Sequence, residues 1–381
     1  MRQHLIDVPA GLNGVAVADT ELGTVHGDEG FYHYREHDAT VLARTVGFEV
    51  VWHLFEHGRL PSDDELERVR SDLAAARVLP DALRPLVDTV AGRGSPLAQL
   101  RTVLSAAPGP LGLAPLLDLT PAARRRQAMS IAAIVPTVLA QLHRASNGDD
   151  PVPDDPDRGH VASYLAGVTG REPDPAHVRA LEQYLVLTID HGFNASTFTA
   201  RVVASTGADL ADVVCAAIGA LAGPLHGGAP SRALDALDAI GEPERAAAWV
   251  RAEVAAGRRI MGFGHAVYRA PDPRSALLRE VAVRLGGPLV DRAVAIEAEI
   301  LTTLAELKPD RPLPSNVEFY AGVIMKSVGL PRSMFTPTFA VSRTVGWVMH
   351  ALEQASSGKL IRPAARYVGP EPQRASALVP H

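Results

Sequence analysis

Apolar positions recur every three to four residues over most of the chain, the period of helices that bury one face. Ser62-Asp63-Asp64-Glu65 opens the clearest of them as a capping box, the hydroxyl and the carboxylate satisfying orphan backbone amides. Leu66, Val69, Leu73 and Ala76 then share one face, and Pro80 ends the element. Thr336-Pro337 predicts another helix start, with threonine as N-cap and proline at the first helical position. That helix runs through Phe339, Val341, Val345, Trp347, Val348 and Leu352 to a stop at Ser356-Ser357-Gly358. Residues 181–205 and 208–222 read as two further apolar helices.

The stretch 14–36 departs from this period. GVAVADTEL, TVHG and FYHYRE are short and alternating, with Gly23, Gly27 and Gly30 between them, and predict small antiparallel strands. A ribbon of that size needs a body to pack on, so the expected fold is mainly α with a small N-terminal β-ribbon as an appendage. Proline punctuates the rest at 108–115, 149–157 and 309–314, and the acidic DDPVPDDPD segment predicts an exposed loop. The end from Gly369 has no periodicity and is expected to fray.

Composition narrows the class. At about 150 residues per domain, 381 residues make two domains, and 47% hydrophobic with 21% charged residues excludes a disordered chain. Lys plus Arg (37) against Asp plus Glu (43) leaves a net charge of −6, with no basic excess to hold nucleic acid. The single cysteine, Cys215, excludes an intramolecular disulfide and a cysteine-based zinc site, and fits a reducing compartment. No apolar run approaches the roughly 18 residues of a membrane span, and MRQHLIDVPAGLNG lacks a signal core. The expectation is a soluble, cytoplasmic protein.

Several segments carry candidate chemistry. His53-Leu54-Phe55-Glu56-His57 matches an H-x-x-E-H zinc pattern, but Phe48, Val51, Trp52 and Phe55 form the apolar face and Gly58 ends the helix. The plainer reading is an exposed polar face, and no metal site is expected. Gly262-Phe263-Gly264-His265 resembles the start of a dinucleotide fingerprint, but Val267 replaces the third glycine and no acidic residue completes the unit. What remains is a tight turn that brings backbone amides to a ligand beside His265. Arg269 and Arg274 follow in a proline-stiffened loop, and guanidiniums suit carboxylate or phosphate. Arg343 lies among apolar neighbours, where a buried cation asks for an anion; the pattern alone favours an internal salt bridge or a snorkelling side chain. GPLHGGAP (223–230), DHGFNAST (190–197) and PSNVEFY (314–320) add His226, His191 and a lone carboxylate, Glu318, whose desolvation suits a base. Each segment alone reads better as a structural loop or cap.

Together the segments resemble the citrate synthase family. The match is an ordered series: DHGFNAST, GPLHGG, MGFGHAVYRAPDPR, NVEFY, VSR in the late helix, and RPAARYVG. It extends to GLNGVAVADTELG, GDEGFYHYRE and FEVVWHLFEHGRLP, so it covers nearly the whole chain, at the length of the shorter, dimeric members.

The resemblance implies a two-domain helical fold: a large domain over 1–227 to which 331–381 returns, and a small one over 228–330. It implies condensation of acetyl-CoA, a co-substrate, with oxaloacetate, without metal or other cofactor. Glu318 would take the methyl proton, His226 would hydrogen-bond the enolate oxygen, and His265 would protonate the oxaloacetate carbonyl. His191, Arg274, Arg343 and Arg362 would hold oxaloacetate, with Arg362 supplied across a homodimer interface. Met261, Gly262, Phe263, Gly264, Arg269 and Asn316 would hold coenzyme A. Many members carry Asp where this chain has Glu318, and an extra methylene shifts a carboxylate by about 1.5 Å. Ala266 stands where many bacterial members have Arg. 2-Methylcitrate synthase, using propionyl-CoA on the same machinery, is the nearest alternative. A zinc hydrolase and a non-catalytic binding protein are the others.

Overall fold

The computed structural model describes residues 5–227, 229–265, 268 and 270–370, and the backbone alone of 229–231. Helices dominate, with one three-stranded antiparallel sheet in the order β1 (Gly23–His26), β2 (Phe31–Tyr34), β3 (His37–Asp38). Gly23 pairs with Tyr34 and His26 with Phe31. The ribbon differs from expectation at both ends: 14–22 forms no strand, and His37–Asp38 adds a third. Asp38 then caps the next helix, its carboxylate accepting from Thr40 N and Val41 N, which couples sheet end to helix start.

The capping box forms as expected at the helix Asp63–Ala76, with Val69 and Leu73 buried. Ser62→Ala should therefore cost about 1 kcal/mol, read as a lowered denaturant midpoint at unchanged slope. The late helix, Phe335–Ser357, starts earlier than Thr336-Pro337 implied, because a 3-10 turn at Arg332–Met334 runs into it. Pro337 is tolerated because the first-turn amides have no partner within the helix. Gly358 ends it with φ 62°, as expected. Residues 181–205 are not one helix but two, Pro175–Thr188 and Ala195–Ala204, with a break at 189–194.

Phe335–Ser357 is the spine of the core. It packs on Ala195–Ala204, Leu210–Leu221, Pro121–Asn147 and Pro175–Thr188, and Trp347 and Phe335 are fully enclosed. Among the described residues only Pro121–Asn147 is long and apolar enough to cross a membrane, and 61% of that window is buried. This corrects the expectation that no run approaches a span. A second group comprises Ala229–Ile240, Ala246–Ala255, Pro273–Leu285, Pro288–Leu307 and Val317–Ser327. It meets the first chiefly where Pro273–Leu285 and Val317–Ser327 lie against Pro175–Thr188. The 149–157 loop is pinned where the buried Arg77 guanidinium reaches Asp154 at 2.9 Å and the Asp155 carbonyl, and where Arg144 Nε donates to Asp150 O. Residues 371–381, within the expected fraying end, lie outside the described residues.

Candidate active site

The break at 189–194 presents His191. The last four carbonyls of an α-helix lack partners within it, and here each accepts from a distant side chain. Ser342 Oγ donates to Leu185 O, Tyr34 to Val186 O at 2.9 Å, Tyr32 to Leu187 O at 3.1 Å, and Arg343 Nε to Thr188 O at 2.9 Å. The ribbon is thus no mere appendage: Tyr32 and Tyr34, the inward positions of β2, hold the helix end open. Asn194 starts the next helix, its Oδ1 accepting from Thr197 N at 3.1 Å.

The glycine turn is set against residues 314–316. Gly262 and Gly264 have φ of 87° and 79°, a region unfavourable for other residues. Gly264 N donates to Pro314 O at 2.7 Å, Asn316 N to Gly262 O at 2.8 Å, and Asn316 Nδ2 to Gly264 O at 2.7 Å. The Gly264 amide is therefore spent internally rather than offered to a ligand. Asn316 Oδ1 also accepts from Glu318 N at 3.0 Å, capping Val317–Ser327 and placing Glu318 in its first turn.

These elements surround a cavity of about 210 Å³ lined by His191, His226, His265, Arg274, Glu318 and Arg343, with Asn194, Asn316, Thr188 and Tyr184. Clefts elsewhere are larger, about 890 Å³ near Arg70 and Asp157 and about 490 Å³ near Glu21 and Arg125. Neither brings three imidazoles and a carboxylate together.

Burial pushes the Glu318 carboxyl up to about 7, against the pull of Arg274. Burial lowers His226 to about 4, with Arg343 adding to it, and His265 to about 4, with Arg274 adding. His191 is driven well below its usual value by burial, then by Arg274, Arg343 and His265. All three rings are neutral near pH 7.

Hydrogen bonds orient them. Tyr268 N–H points at His265 Nδ1 from 3.0 Å and Arg274 Nη2 lies 3.2 Å from Nε2, so a donor faces each ring nitrogen. Tyr268 Oη also lies 2.9 Å from His191 Nε2. His226 Nε2 lies 2.8 Å from Ser196 Oγ, which accepts from Trp347 Nε1 at 3.1 Å.

The two arginines differ. Arg274 forks onto Asp272, Nε to Oδ1 at 3.0 Å and Nη2 to Oδ2 at 2.9 Å, so the internal salt bridge holds for it. Asp272 also accepts from Arg274 N at 3.0 Å and Val317 N at 3.2 Å, tying two helix starts together. Arg343 is 2% exposed and stacks on Phe339, its carbon 4.6 Å from the ring centroid. Among the described residues it forms no ion pair with a carboxylate; its Nε bonds only Thr188 O. Two guanidiniums, neutral imidazoles and one high-pKa carboxyl suit a small dianion and the removal of a weakly acidic proton.

Other candidates lie elsewhere. Gly262 and Phe263 are buried, Phe263 against Phe319 at 5.2 Å, and neither they nor Met261 and Gly264 line the cavity. Arg362 is exposed in the C-terminal coil, and Arg269 and Ala266 lie outside the described residues. The His53 motif is not an exposed face: His53 is 3% exposed, its Nδ1 3.0 Å from Arg59 O. Among the described residues no group of His, Cys, Asp and Glu is placed to hold a metal ion. Sequence patterning gives no role to Tyr32, Tyr34, Tyr268, Asp272 or Trp347. Only Asp272-Pro273 carries a readable signal, an N-cap before a proline.

The family model described as "Citrate synthase, C-terminal domain" matches residues 11–364. The chain is 40% identical to a putative citrate synthase 2 of Mycobacterium tuberculosis over 374 residues, covering 95% of this chain and 93% of that one. It is 38% identical to a citrate synthase of Haloferax volcanii over 95% of this chain and 96% of that one. A citrate synthase structure from Pyrobaculum aerophilum aligns with a TM-score of 0.87 at 36% identity, over 96% and 93% of the two chains. The Thermoplasma acidophilum enzyme, a ternary complex with carboxymethyl coenzyme A and oxaloacetate, aligns with a TM-score of 0.88 at 26% identity, over 98% of each chain.

Proposed function

This chain belongs to the citrate synthase family, and from that premise we propose that it condenses acetyl-CoA with oxaloacetate and water to give citrate and coenzyme A. The observation that carries this reading is the gathering of Glu318, three neutral imidazoles and two guanidiniums on one small cavity.

Arg274, Arg343 and His191 hold oxaloacetate, the open guanidinium of Arg343 taking a carboxylate. Glu318 removes a proton from the acetyl methyl group, and His226 hydrogen-bonds the developing enolate oxygen. The enolate carbon attacks the oxaloacetate carbonyl, and His265 Nε2 delivers a proton to that oxygen. The Tyr268 amide at Nδ1 orients the ring for this role. Water then cleaves the citryl thioester, releasing citrate and the coenzyme A thiol. Every step is proton transfer or carbonyl chemistry, so acetyl-CoA is a co-substrate and no cofactor takes part.

Coenzyme A is held by Met261–Gly264 and Asn316, and by Arg269, which lies outside the described residues. Residues 1–227 and 331–381 form the large domain and 228–330 the small one, and closure between them excludes water. In a homodimer, Arg362 of each subunit completes the site of the other, which fits its exposure here.

Thiol release from acetyl-CoA, dependent on oxaloacetate, tests this reading. Propionyl-CoA run in parallel decides the acyl group, since one methylene is worth only about 1–3 kcal/mol. A higher kcat/KM with propionyl-CoA would make the protein a 2-methylcitrate synthase instead. Coenzyme A binding without thiol release would make it a non-catalytic relative.

A further inference from the structure

Arg343, Gly346 and His350 occupy one face of the helix Phe335–Ser357, at i, i+3 and i+7. Gly346 admits the Ile189–Asp190 backbone: a Cβ there would meet Ile189 O at 2.2 Å and Asp190 Cβ at 3.6 Å. Asp190, 1% exposed, thus lies over the turns between a guanidinium and an imidazole. Its Oδ1 is 3.4 Å from His350 Nε2, a close approach without hydrogen-bond geometry, whereas it forms no ion pair with Arg343. Burial raises the Asp190 carboxyl, but His350 and Arg343 outweigh it and hold the group below its usual value, so it is ionised.

The other ring nitrogen settles the tautomer. His350 Nδ1 lies 3.1 Å from Arg201 Nη1, and arginine only donates, so Nδ1 accepts and a neutral ring carries its proton on Nε2, facing Asp190. Arg201 is itself fixed by Gln354 Oε1 at 3.0 Å, the Glu353 carboxylate and Asp19 O at 3.2 Å.

From this geometry we infer that His350 is a positioning residue that holds the Asp190 carboxylate away from Arg343, leaving that guanidinium's remaining N–H groups open to the substrate carboxylate. The inference rests on the reading of Arg343 as an oxaloacetate ligand. Asp190 then acts as a counter-charge at a distance, which offsets part of the cost of burying Arg343. A carboxylate released from His350 turns to the guanidinium and forms the bidentate pair oxaloacetate has to displace. It becomes a built-in competitor.

His350→Met keeps the bulk and removes the N–H, while His350→Gln returns an amide N–H near the position of Nε2. Steady-state thiol-release assays give KM for each substrate and kcat. The expected result for His350→Met is an oxaloacetate KM raised about tenfold with acetyl-CoA KM within about twofold, and a return to within about threefold in His350→Gln. Unchanged constants in His350→Met overturn the inference, as does a parallel rise in both KM values that His350→Gln does not restore. Wild-type turnover separates the two levels. An active wild type with an unaffected His350→Met sinks this inference alone, whereas an inactive wild type sinks the reading beneath it. If His350→Met does not fold, 15N NMR of the wild-type chain decides: a His350 ring protonated on Nε2 only is expected, and one protonated on Nδ1 overturns the inference.

Discussion

Glu318→Gln is expected to lower kcat for thiol release by about 10³-fold, with the oxaloacetate KM changed by less than about threefold. The amide keeps the shape of the side chain and its place in the first turn of Val317–Ser327 but cannot accept a proton. Burial holds the carboxyl at about 7, so the free enzyme's kcat/KM should rise with pH through that value as the base ionises. The same shift has a stability consequence of opposite sense. A carboxyl whose folded pKa lies above its unfolded value binds its proton more tightly in the native state. Its contribution is therefore fully present below about pH 4.5, declines as pH rises toward 7, and is absent above that. Glu318→Gln should flatten both curves over that window, in a pH–rate profile and in urea unfolding at several pH values. Near-normal turnover in this variant would remove Glu318 from the proton transfer.

Gly346→Ala is expected to destabilise the protein by about 2 kcal/mol and to raise the oxaloacetate KM. Two effects compete. Alanine in a helix interior gains about 1 kcal/mol over glycine from backbone entropy and propensity. Overpacking typically costs about 1–3 kcal/mol, and here the added Cβ would sit 2.2 Å from Ile189 O and 3.2 Å from Ile189 C, both backbone atoms. Backbone cannot swing aside as a flexible side chain does, so the steric cost wins. Relief requires the 189–191 segment to move, which carries His191 with it. Chemical denaturation and the oxaloacetate KM check both halves, and a more stable variant with normal KM would contradict the close approach.

The helix start places Glu318 in the first turn of Val317–Ser327. The carboxylate lines the cavity with His226, His265 and Arg274. Arg274 was legible as a candidate cation, but not the Asp272 fork that holds it.

The sequence by itself determined the helical character, the capping box at Ser62, the Gly358 stop and the identity of the polar residues at the cavity. These are local matters, set by periodicity, caps and the chemistry of single side chains, and ordered motifs pointed to the family. Only the tertiary structure decided where 181–205 breaks. That break depends on four donors, Tyr32, Tyr34, Ser342 and Arg343, more than 150 residues from the carbonyls they satisfy. An apolar periodic run carries no record of such partners, because an orphan carbonyl looks the same in sequence whether the helix ends there or continues. The same holds for the three histidines: burial beside Arg274 and Arg343 makes them neutral, and burial is a property of the packed molecule.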